Sequence, residues 1–328
     1  MIPYIDFHCD TLMMFALPPK DGSEPNLYEN HRMLDLKRMK EGGTAAEFFA
    51  TFMPPKRFMG EVMSDEMYRE ALYNGLMDAV QRHGDILAFA RGVKDYEKNK
   101  KAGKMSAFLT FEDGRMVQGS FDNLQKFYDL GYRLITLTWN FENCFGFPNA
   151  KDPLEMEKGL KPFGKEAVSW MMEKGIITDV SHLSDGGFWD VAAISRSTKV
   201  PFIASHSCAR SLTPHTRNLT DPMLKELGEC GGFVGVNFAP EFVGETTDCK
   251  ISTVKRICDH VEHMANLAGI EAVGIGSDFD GIGGELEVGQ PTDMVKLFDE
   301  LTRRGWSSKD VDKFAYLNAE RVLKDTLH

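Results

Sequence analysis

The feature that most constrains this chain is an alternation. Eight short apolar segments recur along it, at Tyr4 to Asp10, Thr44 to Met53, Met105 to Phe111, Leu134 to Trp139, Ile176 to His182, Val200 to His206, Gly232 to Phe238 and Ala272 to Asp278. Stretches with helical spacing separate most of them, as over residues 64–83, Phe121 to Leu130, Pro162 to Lys174, Asp185 to Ser195, Asp221 to Leu227 and Val254 to Ala268. Near-continuous apolar strands suit a parallel sheet covered on both faces. Eight such βα units predict a (β/α)8 barrel, a TIM barrel, as a single domain over residues 1–328. An open doubly wound sheet is the alternative, but no Gly-x-Gly-x-x-Gly follows a strand to support a dinucleotide site. Two more helices are expected at Thr292 to Arg304 and Ser308 to Leu323, and an insertion-like loop from Pro18 to Asn30.

In such a barrel the working residues stand at the C-terminal ends of the strands. The first strand ends in His8-Cys9-Asp10. Residues i and i+2 of an extended chain point to one side, so His8 and Asp10 can reach one cation while Cys9 points away. The third strand ends at Glu112, the fifth at His182, the sixth at His206 and the eighth at Asp278. Each of these, alone, is also readable as a hydrogen-bonded histidine or a plain turn. Coincidence at five strand ends is another matter. Three histidines, two aspartates and a glutamate form a ligand set without cysteine, as borderline divalent metals accept, and they suffice for two ions with Glu112 between them.

The net charge of −11 gives no support to a nucleic-acid-binding or anionic-membrane surface. No apolar run approaches the ~20 residues that span a bilayer, and no secretory signal pattern opens the chain. Six cysteines without a Cys-x-x-Cys spacing read as reduced thiols, so the expected location is the cytoplasm. His31, His83, His260 and His263 are assigned to surface or packing roles.

Together, Asp6-Phe7-His8-Cys9-Asp10, Phe111-Glu112-Asp113-Gly114, Asp179-Val180-Ser181-His182, Ser205-His206-Ser207, Arg217-Asn218-Leu219-Thr220-Asp221 and Gly276-Ser277-Asp278-Phe279-Asp280-Gly281 resemble the membrane (renal) dipeptidase family of metal-dependent amidohydrolases, in order along essentially the whole chain. The resemblance implies two zinc ions per chain, one held by His8 and Asp10, the other by His182 and His206, with Glu112 bridging. It implies hydrolysis of dipeptides through a metal-bridging hydroxide, with tolerance of a D-amino acid at the second position and a homodimeric assembly. Asp278 would act as the acid/base, and Arg217 would bind the substrate carboxylate, a role that its planar fork suits. The chain departs from the family where mammalian members carry a substrate-binding histidine, because Trp139 stands there, followed by Asn140 and Asn143. Trp139 and Asn143 are therefore carried as substrate-binding candidates. An oxyanion donor is worth ~10²–10³ in turnover, and its replacement by Trp139 keeps open a second reading: the same metal machinery acting on another amide, such as an N-acyl amino acid or a lactam.

Overall fold

In the computed structural model, residues 2–17, 22, 24–55 and 63–327 are described; Pro18 to Asp21 of the expected loop, and His328, lie outside them. Eleven strands are present among the described residues: β1 (Tyr4–Cys9), β2 (Thr44–Phe52), β3 (Leu87–Phe89), β4 (Met105–Glu112), β5 (Tyr132–Thr136), β6 (Ile177–Asp179), β7 (Ile203–Ser207), β8 (Phe233–Val236), β9 (Ile251–Ser252), β10 (Val273–Ile275) and β11 (Glu285–Leu286). The main sheet runs β2-β1-β10-β8-β7-β6-β5-β4, and a further β2–β4 pairing closes it. Every pairing is parallel, and the closing ladder is continuous from Ala46 opposite Ser106 to Phe52 opposite Glu112. The eight expected strands are thus the eight staves of a (β/α)8 barrel.

The short β3 was not expected from the sequence. It pairs with the first residues of β4, Met105 to Ala107, before β5 takes over the same edge at Leu109. The two-residue strands β9 and β11 form a separate parallel pair in the loops beyond the barrel. The last expected helix is interrupted: Ser308–Asp312 and Asn318–Thr326 are α-helical, joined by a π-turn over Lys313–Leu317. Asn318, opening the last stretch, donates its amide to the carbonyls of Ile270 and Val273 and so ties that helix to the start of β10.

Helix starts follow local chemistry. Ser64, Ser120, Ser184, Thr220 and Thr253 each accept a backbone N–H of the first turn, the usual work of an N-cap hydroxyl. Gly43, Gly131 and Gly175 end helices with positive φ.

The barrel interior is aromatic. Phe7 stacks on Phe48 at 4.4 Å, Phe48 on Phe108 at 4.6 Å, and Phe7 leans on Phe233 at 4.6 Å. Val322 and Leu323 of the C-terminal helix join this cluster. The rings form a filled floor, so only the polar layer above them is available for chemistry. At that boundary β1 changes phase: its register against β2 slips between Asp6 and Cys9. Such a slip lets the consecutive residues Phe7 and His8 both serve the interior, while Cys9 is buried in the outer apolar layer. Replacing Phe48 by Ala removes the middle of the stack. The expected cost is ~3–5 kcal/mol of stability, to be read from chemical denaturation.

Candidate metal centre

The predicted strand-end residues converge. His8 Nε2 lies 3.5 Å from Asp10 Oδ2, 3.6 Å from Glu112 Oε2 and 3.8 Å from Asp278 Oδ1. The other oxygen of Glu112, Oε1, is 2.9 Å from His182 Nε2 and 3.5 Å from His206 Nε2. Glu112 therefore stands between His8 on one side and the two later histidines on the other. Among the described residues, two three-residue groups have donor atoms close enough to share one ion, His8-Glu112-His206 and His8-Asp10-Asp278.

These atoms are arranged for a cation. His182 Nε2 and His206 Nε2 face each other at 3.1 Å, and both ring nitrogens of His8 and Oδ1 of Asp10 are buried without a hydrogen-bond partner. Buried polar atoms left unpaired are costly unless something absent from the chain itself satisfies them. Electrostatics agree. Burial, His8 and Arg217 hold His206 well below its usual range, and burial followed by Arg217 brings His182 down to about 4, so both present neutral lone pairs. Burial alone would raise Glu112, but His8, His182 and His206 overcome it and keep it ionised. Burial and the Glu112 charge push Asp10 well up, against His8, so protons crowd onto this side, where a divalent ion would displace them. The donor set of imidazoles and carboxylates thus fits a divalent-metal site.

The backbone around the ligands is held in unusual shapes. His182 (φ 67°) and Asp278 (φ 63°) both adopt left-handed conformations in the turns beyond their strands, which end at Asp179 and Ile275 and not at the residues expected. Strain of this kind persists only where neighbours over-determine it. The carbonyl of His182 accepts from Asn149 N at 2.7 Å, from Asn149 Nδ2 at 3.2 Å and from Thr138 Oγ1 at 3.4 Å. Gly281 is needed because a Cβ there would fall onto the carboxylates of Asp10 and Asp278.

Several supporting roles escaped the sequence reading. Asp179 accepts Ser181 N and Ser205 N on one oxygen, and Thr136 Oγ1 and Ser205 Oγ on the other, joining β5, β6 and β7. Ser205 Oγ in turn meets His206 Nδ1 at 2.7 Å, which orients the ring with Nε2 toward Glu112. Asn140 Oδ1 does the same for His182 Nδ1 at 3.2 Å. Asn237 Nδ2 donates to Asp278 Oδ2 at 2.8 Å, leaving Oδ1 toward His8. Asp6 Oδ1 accepts His8 N and Ser277 N, linking the ends of β1 and β10. A polar residue within or just after an apolar strand was the available signal for Asp179 and Asn237.

The substrate candidates lie at the rim. Arg217 is buried, with Nη2 donating to the His206 carbonyl at 3.1 Å, its Nε unpaired and its guanidinium 5.4 Å from the Phe242 ring centre. Among the described residues no carboxylate lies within ion-pair distance of it. The Trp139 ring centre is 6.2 Å from that of His182. Asn143 is built into the loop: its amide donates to Asp113 Oδ1 and to the Leu137 carbonyl, and its Oδ1 accepts Phe145 N.

The chain matches the membrane dipeptidase family, Peptidase family M19, over residues 1–327. It belongs to that family. It is therefore a metallo-dipeptidase, a hydrolase of peptide bonds. It is 30% identical to dipeptidase aclJ of Aspergillus oryzae over 343 aligned residues, covering all of this chain and 79% of that one. The barrel superposes on a metallopeptidase from Rhodobacter sphaeroides, solved with a phosphinate mimic of the dipeptide L-Ala-D-Ala, with a TM-score of 0.88 and 26% identity over 99% of each chain. The solved structure of dipeptidase AC, of the same M19 family, gives a TM-score of 0.87 at 27% identity, covering 99% of this chain and 98% of that one. No helix among the described residues is long and apolar enough to cross a membrane.

If the cluster is a divalent-metal site, His8→Ala and His182→Ala will each lower the metal retained by the purified protein, read by elemental analysis after dialysis. Retention equal to that of the unaltered chain in both variants would exclude the assignment.

Proposed function

We propose that the chain is a binuclear zinc dipeptidase in which His8 and Asp10 hold one ion, His182 and His206 the other, and Glu112 bridges them. The observation that carries the dipeptide reading is Arg217, a buried cation without a carboxylate partner among the described residues, set beside the metal cluster. A buried charge of this kind calls for an anion to complete it, and the free carboxylate of a short peptide has the charge and the planar geometry to fit its fork. Zinc ions in this site would polarise the scissile carbonyl and activate the attacking water.

Asp278 is the proposed proton carrier. Asn237 holds one of its oxygens, the other faces the cluster, and burial raises its carboxyl to about 6, against the pull of His8. A carboxylate so held, with one oxygen toward the ions, can take a proton from the water and return it to the leaving amine. Arg217 limits the substrate at its C-terminal side, so that only short peptides present a carboxylate at the right distance. The Rhodobacter sphaeroides relative was solved with a mimic of L-Ala-D-Ala, which supports tolerance of a D-residue at the second position. The family likeness likewise supports a homodimer, and six cysteines without a Cys-x-x-Cys spacing support a cytoplasmic location.

Trp139 favours a second reading, in which the same site acts on an N-acyl amino acid or a lactam. A panel of L,L- and L,D-dipeptides, N-acyl amino acids and lactams, offered to the metal-loaded protein, separates the two. Cleavage of the non-peptide amides alone would replace the dipeptidase reading.

Asp278→Asn is expected to lower kcat by ~10²–10⁴ with metal content unchanged; a smaller loss would move the proton transfer elsewhere. Arg217→Met is expected to raise KM ~10–100-fold for free dipeptides, as loss of a charge-assisted contact does, and much less for the C-terminal amides. Equal effects on both substrate types would remove Arg217 from carboxylate recognition.

A further inference from the structure

One side of the mouth is unlike the rest. The cluster and Arg217 make the centre highly charged, yet three aromatic rings line the edge next to Glu112 and His182. Phe52, the last residue of β2, is the register partner of Glu112. Its ring meets Trp139 edge-on at 4.9 Å, and Trp139 in turn leans on Phe141 at 5.9 Å. None of the three is buried, and Phe141 is 47% exposed. Trp139 also reaches the metal cluster, through its 6.2 Å approach to the His182 ring.

We propose that Phe52, Trp139 and Phe141 form a wall that recognises an apolar side chain of the substrate, so that the enzyme prefers dipeptides carrying a bulky apolar residue. This rests on the dipeptidase reading above and adds to it the class of dipeptide. A contiguous aromatic face beside charged catalytic groups gains by covering itself with apolar substrate atoms, since each ring then leaves water. It offers polar or acidic side chains no such return.

The wall is also pre-built. Asn143 braces the loop that carries Trp139 and Phe141, through Asp113, the Leu137 carbonyl and Phe145 N, and Lys161 Nζ donates to the Asn143 carbonyl at 2.7 Å. Asn140, between the two aromatics, is anchored on His182 Nδ1. Binding there requires little ordering of the loop, and so more of the apolar contact is expressed as selectivity. On this view the loop residues that follow the fourth expected strand divide the labour: Asn140 and Asn143 hold the loop, and Trp139 and Phe141 face the substrate.

The test is a kcat/KM comparison on the metal-loaded full chain with two dipeptide series. In one the first residue is Ala, Leu, Phe or Asp before a fixed Ala; in the other the second residue is varied in the same way, in both L and D forms, after a fixed Ala. The unaltered enzyme is expected to favour Leu or Phe over Ala by ~10–200-fold in one series, the range that small apolar differences command. That series identifies which substrate residue meets the wall. Phe141→Ala and Trp139→Ala are each expected to cut the Leu/Ala ratio at least ~10-fold in the same series, with metal content as the control for the site. Phe141 is half-exposed, so its variant reads the wall even where the tryptophan variant folds poorly. A flat response to both series, or a ratio that survives Phe141→Ala and a folded Trp139→Ala, overturns the wall and leaves the dipeptidase reading standing. Hydrolysis of no dipeptide at all overturns the reading beneath it, and the wall with it.

Discussion

The structure depends on the ladder that joins β2 to β4. Seven consecutive residue pairs, from Ala46–Ser106 to Phe52–Glu112, convert an open sheet into a closed barrel. Closure is what makes the C-terminal strand ends a ring rather than a row. Without it β1, with His8 and Asp10, would lie at one side of a sheet and β4, with Glu112, at its far edge. With it, Glu112 reaches His8 on one side and His182 and His206 on the other. The same ladder sets Phe52 beside Glu112, and so fixes where the charged centre gives way to the aromatic rim.

Within the ring, position is enforced by buried hydrogen bonds rather than by packing. Asp179 joins three strands through four donors, and Ser205 passes that order to His206. Asn237 sets which oxygen of Asp278 faces inward, and Asp6 links the strands that carry His8 and Asp278. The aromatic floor below has a complementary role. Phe7, Phe48, Phe108 and Phe233 fill the barrel and confine the polar groups to a single layer. That layer is crowded with carboxylates and imidazoles whose unpaired atoms are satisfied only when cations join them, so the same groups that make the site also make the unfilled site costly.

Much of this was legible in the sequence. Apolar runs ended by His, Asp or Glu located the barrel staves and the ligand set together, because a strand buried on both faces must be apolar until it reaches the mouth. Elements whose cause is non-local were not legible. β3 is three residues that become a strand only because β4 offers an edge, and the π-turn at Lys313–Leu317 has no counterpart in the spacing of apolar residues. His182 and Asp278 were read as the last residues of their strands, whereas both lie beyond them with positive φ. Asn143, a substrate-binding candidate from the sequence, also braces its loop through Asp113 and the Leu137 carbonyl, a pairing between loops that no spacing reveals.

The sequence by itself determined the fold class through local periodicity, and its motifs taken together carried the family resemblance and the candidate residues at the mouth. Only the tertiary structure decided which atoms face one another. It showed Glu112 dividing its two oxygens between His8 and the later histidines, Arg217 buried without a carboxylate partner among the described residues, and Trp139 joined to Phe52 and Phe141 in one aromatic edge. The physical reason is that these relations depend on closure of the barrel, which sets residues from distant parts of the chain a few ångströms apart in a buried layer where each charge must find its partner.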